Sequence, residues 1–171
     1  MENNPASADH SLSRGDELPP GQSSIINFQS KIGRLLGVDT GVVRVGLSVC
    51  DPDRKLASPY ETYTRRSPEK DAAYFARLVK EERIVGFVIG LPMHMNGDEG
   101  IKAKEAREYG AWLTAVTGLP AVYHDERCTT AAADEMLWAV KMTHKQRKER
   151  RDKLAATLIL QTYLDAGCPP G

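Results

Sequence analysis

The chain has 171 residues, is 41% hydrophobic and carries 23 Lys plus Arg against 23 Asp plus Glu. That length suits one domain with one core, and the balanced charge excludes overall basicity as a basis for binding nucleic acid or membrane, so any electrostatic footprint is local. No apolar run reaches the roughly 20 residues that cross a bilayer, and Cys50, Cys128 and Cys168 lie far apart without a C-x-x-C pair, which argues against a disulfide framework or structural zinc and for a reducing, cytoplasmic setting.

The opening "MENNPASADHSLSRGDELPPGQSS" is polar, rich in Ser, Pro and Asn, and lacks the apolar core of a signal peptide. Residues 1–32 are expected to be a disordered tail, 33–167 the folded domain and 168–171 a short C-terminal tail. Arg34 to Asp39, Val42 to Val49 and Leu56 to Thr64 are β-rich runs that predict three antiparallel strands in a meander. Ser67 and Pro68 signal a helix start, and Ala72, Phe75, Ala76 and Val79 supply its apolar stripe. "IVGFVIGLP", Ile84 to Pro92, is short and continuously apolar, as for a central strand covered on both faces.

A helix over about 100–117, a strand in "LPAVYHDER", a helix over about 130–141 and a last helix in "RRDKLAATLILQTYLDAG" complete the chain. Three antiparallel strands followed by a βαβα alternation predict an α/β domain: a mixed five-stranded sheet with helices on both faces, in the manner of the ribonuclease H superfamily.

Three carboxylates stand out against this pattern. Asp39 interrupts a run that otherwise reads as buried strand, where an ionised group is costly unless it is paired, hydrogen-bonded or bound to metal. Thr40 and Gly41 follow it, so an ordinary turn cap is the simplest account, and the glycine also lets backbone approach a phosphate closely. Asp125 and Glu126 sit where a strand ends and a helix is due, the end at which α/β sheets place their sites. Strand alternation allows only one of the two to share a face with Asp39, leaving the other as a neighbouring or alternative ligand, and taken alone exposed pairing with Arg127 is the simpler account of both.

Asp152 shares a helical stripe with Ala155, Ala156, Ile159 and Tyr163, so it faces the sheet, although a local ion pair with Lys148, Arg150 or Arg151 would also explain it. Three converging carboxylates need a cation between them, and an all-oxygen set favours Mg²⁺ or Mn²⁺ over zinc. The four histidines are scattered and no HExxH occurs.

"KMTHKQRKERRDK", Lys141 to Lys153, holds seven Lys or Arg against two acids and leads into Asp152. Arg147, Lys148, Arg150 and Arg151, together with Arg127 after the β5 acids, are candidate phosphate contacts, with a solvated helical face as the plainer account of the basic run. "GLPMHMNGDEG" places glycines between a strand end and a helix start, where backbone N–H groups suit phosphate.

"GVDTGVVRVGLSV", "VIGLPMHMNGDEG", "DERCTT" and "DKLAATLILQTYL", in this order, closely resemble the YqgF family of pre-16S rRNA nucleases, also described as Holliday-junction-resolvase-like. The resemblance covers about residues 33–167 and implies a ribonuclease H-like fold and metal-dependent phosphodiester hydrolysis. It matches Asp39 to the first-strand aspartate, Glu126 to the acid of the "DER" motif and Asp152 to the aspartate opening the last helix. The chain departs from the family at Thr40, Val43 and Cys128, none of them an acidic position, while Arg44 is kept as a phosphate contact or a support for a ligand.

The expected partners are nucleic acid, with pre-rRNA favoured over branched DNA, and ribosomal precursor particles, for a monomer or homodimer with no membrane association. A Holliday junction resolvase and a non-catalytic nucleic-acid-binding module are the alternatives. An actin- or sugar-kinase-type ATPase also opens on a strand, an Asp and a Gly, but needs two such domains around a cleft.

Overall fold

A computed structural model describes residues 28, 31–94, 97–125 and 144–170, with the side chains of 144–150 outside the description. Strands β1 (Arg34–Asp39), β2 (Arg44–Cys50), β3 (Ala57–Thr64), β4 (Ile84–Leu91) and β5 (Ala121–Asp125) form one sheet in the order β3-β2-β1-β4-β5. β1 to β3 pair antiparallel, while β4 runs parallel to both β1 and β5. Helices α1 (Pro68–Glu81) and α2 (Ile101–Thr117) cover one face, and α3 (His144–Asp165) covers the other. This is the ribonuclease H-like mixed sheet expected from the sequence; the helix predicted over about 130–141 lies outside the described residues.

β1 and β4 are nearly all apolar because they are central and covered on both faces. Along β1, Leu36 and Val38 join the cluster under α1 and α2, while Leu35 joins the cluster under α3. Alternation therefore turns Gly37 and Asp39 toward α3. The same logic turns Arg44, Gly46 and Ser48 of β2 toward α3, with Val45 and Leu47 on the opposite side.

α3 lies unusually close to the sheet. A Cβ at Gly37 would stand 2.7 Å from Leu160 Cβ and 2.9 Å from the Ala156 carbonyl, and one at Gly46 would stand 2.1 Å from the Asp152 carbonyl oxygen. The Ser48 hydroxyl donates to the Ala156 carbonyl at 2.8 Å, and Gln161 Oε1 accepts from the Ala57 N–H at 2.8 Å, so polar contacts fix the helix along its length.

Four details differ from the sequence expectation. β2 begins at Arg44, not at residue 42, because Asp39 opposite Gly46 is the last β1–β2 pair; Val42 and Val43 lie exposed in the connection. In α1 the fully buried positions are Asp71, Phe75 and Leu78, with Ala72, Ala76 and Val79 only partly covered. Periodicity alone did not admit a carboxylate to that stripe, but Asp71 Oδ1 accepts from the Tyr63 hydroxyl at 2.7 Å and the Arg66 N–H at 2.9 Å, which offsets its desolvation. Finally, Phe28 and Cys168 lie outside the span expected for the domain, yet both pack into the cluster beneath α3. Arg54, in the left-handed region at φ 55°, holds the N-terminal approach by donating to the carbonyls of Gly33, Phe28 and Lys31.

Candidate active site

The parallel strands β1, β4 and β5 end on the same edge of the sheet, and they end at Asp39, Leu91 and Asp125. Asp39 is partly exposed there and turned toward α3. Its register partner is Gly46, the residue on which the Asp152 backbone rests. Two of the predicted carboxylates, some 110 positions apart in the chain, are thus brought to one face at one sheet edge.

Glycine at 46 is what permits this approach, since any side chain there would occupy the space of the Asp152 carbonyl. A glycine inside a strand is unfavourable unless another backbone comes close, so Gly37 and Gly46 carried a usable signal for the seat of the helix. Gly41 has a local role as well: a Cβ would lie 2.3 Å from the Arg44 carbonyl oxygen, so the absent side chain closes the β1–β2 connection.

Asp152 faces the sheet, as its helical stripe predicted, and its ion partner is Arg44 of β2. Arg44 Nη2 lies 3.3 Å from Asp152 Oδ2, with side chains 18% and 23% exposed. That nitrogen is buried and, among the described residues, makes no hydrogen bond of good geometry, so its contact with Asp152 is an ion pair alone.

At the end of β5 the faces alternate cleanly. Tyr123 packs toward α2 beside Gly110, whereas His124 Nε2 lies 2.9 Å from the Thr162 hydroxyl of α3 and its ring meets Tyr163 edge-on. Asp125 follows on the Tyr123 side, opposite to Asp39. Burial depresses the His124 pKa below the ordinary imidazole value, against a weaker upward pull from Asp125.

Glu126 and Arg127 lie outside the described residues. Arg147, Lys148 and Arg150 belong to the helical backbone of α3, but their side chains are not described; Arg151 is exposed. Among the described residues no group of three or more His, Cys, Asp or Glu side chains forms a metal cluster. The "GLPMHMNGDEG" segment ends at Gly100, which caps α2 without a side-chain hydrogen bond. No described helix is long and apolar enough to cross a membrane.

A family described as "RuvX: Holliday junction resolvase" matches residues 33–166. A Rhodopirellula baltica protein named "Putative pre-16S rRNA nuclease" is 49% identical over 134 residues, covering 78% of this chain and 78% of the relative. A Lactococcus lactis subsp. cremoris protein of the same name is 47% identical over 135 residues, covering 78% of this chain and 94% of the relative. Among solved structures, Thermus thermophilus RuvC superposes with a TM-score of 0.52 at 14% identity, covering 81% of this chain and 99% of that one. The same enzyme in complex with a Holliday junction substrate gives 0.51 at 15% identity with the same coverage. At such identity these two show the fold alone. The family match over nearly the whole domain, with relatives near half identity, means that this chain belongs to the RuvX family, as the resemblance to the YqgF nucleases implied.

Proposed function

We propose that this chain, a nuclease of the RuvX family, hydrolyses phosphodiesters in structured nucleic acid with Mg²⁺ or Mn²⁺ held by Asp39, Asp152 and Glu126, and that it matures the 5′ end of pre-16S rRNA. The observation that carries this reading is the juxtaposition of Asp39 and Asp152 through the Asp39–Gly46 register and the packing of Gly46 on the Asp152 backbone. Two carboxylates from separate elements on one face offer the hard oxygen donors these ions select. Because Asp125 points to the opposite face, Glu126 is the acid proposed as the third donor.

The chemistry such ions supply is polarisation of the scissile phosphate and activation of water for in-line displacement, with no covalent intermediate. Asp39, at the end of a covered strand, gives that chemistry a rigid anchor. Arg44, whose guanidinium pairs with Asp152, supports that carboxylate and adds positive charge on the side where a phosphate would lie. The basic start of α3, including Arg147, Lys148 and Arg151, supplies sequence-independent attraction for the backbone, and Gly41 keeps the adjoining connection slim.

The rRNA substrate is favoured by the names of the relatives at 49% and 47% identity, whereas the family description favours a four-way DNA junction. Action on precursor particles in the cytoplasm, as monomer or homodimer, accords with the first. The test offers the purified chain, with Mn²⁺, a 5′-extended small-subunit rRNA and a four-way junction, alongside the Asp39→Asn variant. Cleavage of the rRNA alone, abolished in Asp39→Asn with the fold retained, is the expected result. Junction cleavage alone would replace the substrate, and full activity in Asp39→Asn would refute the metal site.

A further inference from the structure

Asp39 and Asp152 bring two like charges to one face of the sheet, and Arg44 stands beside them. It precedes Gly46 by two positions on β2, so its side chain lies on that same face, one step nearer the edge at which β1 ends. The backbone around it is held from the other side as well. Arg44 pairs with Thr64 of β3, and the carbonyl of the preceding Val43 accepts from the Arg65 N–H at 3.0 Å. The guanidinium therefore reaches Asp152 from a fixed root.

Its hold on Asp152 is one of charge. Nη2 lies 3.3 Å from Asp152 Oδ2 and makes no hydrogen bond of good geometry among the described residues. A bidentate Arg–carboxylate fork would lock both partners through two directed hydrogen bonds; a purely coulombic pair leaves the carboxylate oxygen open to a stronger cation. With the side chains only 18% and 23% exposed, salt screens the charge of the guanidinium less than it would at a surface.

A divalent ion that ligates Asp152 thus meets a positive charge already at the same carboxylate. Arginine cannot lose its proton to make room, so the two cations repel for as long as both face Asp152. The same guanidinium has the opposite effect on the acids themselves, because it offsets the repulsion between Asp39 and Asp152 and lets the helix carrying Asp152 settle on β2.

We propose that Arg44 is the counter-ion of the metal site, a positioning residue that holds Asp152 toward the sheet by charge and, by competing for that carboxylate, keeps the affinity for Mg²⁺ or Mn²⁺ low enough for the ion to exchange with solution. This rests on the metal reading above and adds to it the residue that sets how tightly the ion is held.

The test measures Mn²⁺ binding to the full chain, without nucleic acid, by isothermal titration calorimetry. Native protein is compared with Arg44→Met, which keeps the stem and removes the charge, and with Arg44→Lys, which keeps the charge; urea denaturation checks that each is folded, and Arg44→Gln replaces Arg44→Met if the latter is not. Removing one positive charge at a shared ligand should tighten Mn²⁺ binding on the order of 10-fold, while Arg44→Lys stays close to native. Binding in Arg44→Met alone would be the same effect at its extreme. A role confined to stability would lower the urea midpoint of Arg44→Met and leave Mn²⁺ affinity unchanged. Unchanged or weaker Mn²⁺ binding in the folded neutral variant, or equal tightening in Arg44→Lys, would overturn the counter-ion role and leave the metal reading intact. Absence of Mn²⁺ binding in the native chain and in every variant would overturn both.

Discussion

Replacing Gly46 by Ala tests whether the seat of α3 positions the carboxylates. The new Cβ would stand 2.1 Å from the Asp152 carbonyl oxygen and 2.7 Å from its carbonyl carbon, against the 3.4 Å at which ordinary contact begins. Both obstructing atoms are backbone, so no rotamer change relieves the clash, and the start of α3 must lift by about 1.3 Å from β2. Overpacking of this kind costs about 1–3 kcal/mol, short of unfolding a domain of ordinary stability. The same lift carries Asp152 away from Asp39, and misplacement of a reacting constellation by about 1 Å lowers rates on the order of 100-fold. Urea denaturation would give the stability change and metal-dependent cleavage under single-turnover conditions the rate. A Gly46→Ala chain that is folded and cleaves as fast as the native one would refute the role of this packing in assembling the site.

Asp71→Ala should destabilise the fold by about 3 kcal/mol in urea denaturation, because it strands the buried Tyr63 hydroxyl and takes the acceptor from the part-buried Arg66 N–H. Asp71→Asn should cost far less, since both donors meet the single oxygen Oδ1 that Asn retains, and only the long 4.0 Å contact from the half-exposed Arg65 is lost. The depressed pKa of His124 means that the unfolded chain takes up its proton first, so stability is complete above the ordinary value of 6.5 and declines as pH falls through 6.5 toward the lower native value. Urea midpoints from about pH 7.5 to 5.5 should show that decline, and His124→Gln should flatten it. Neutralising Arg147, Lys148, Arg150 and Arg151 together should weaken nucleic-acid binding and reduce the slope of its affinity against salt by roughly 3 on logarithmic axes. An unchanged salt series would reduce the basic run to a solvated face.

The order of elements was legible because each is written in local pattern. "IVGFVIGLP" admits little besides a covered strand, and Ser67 with Pro68 marks a helix start that the structure begins at Pro68 with Ser67 as cap. Asp152 was legible for the same reason, since Ala156, Ile159 and Tyr163 on its stripe are all buried. Local pattern failed at Asp71: the carboxylate sits in a buried stripe because the Tyr63 hydroxyl donates to it from β3, and helical periodicity, which treats α1 by itself, does not register a partner on the preceding strand. It also missed the Arg44–Asp152 pair, because the candidate partners in view were the neighbours of Asp152 along the helix.

From residue order alone come the αβ alternation, the antiparallel start, and the acids that point inward from strand and helix. These follow from side-chain periodicity, which is a property of one element at a time. Whether those acids meet depends on two things that periodicity does not encode, the register of β1 on β2 and the depth to which α3 settles on Gly37 and Gly46. Contacts such as Ser48 to Ala156, 108 positions apart, set that depth.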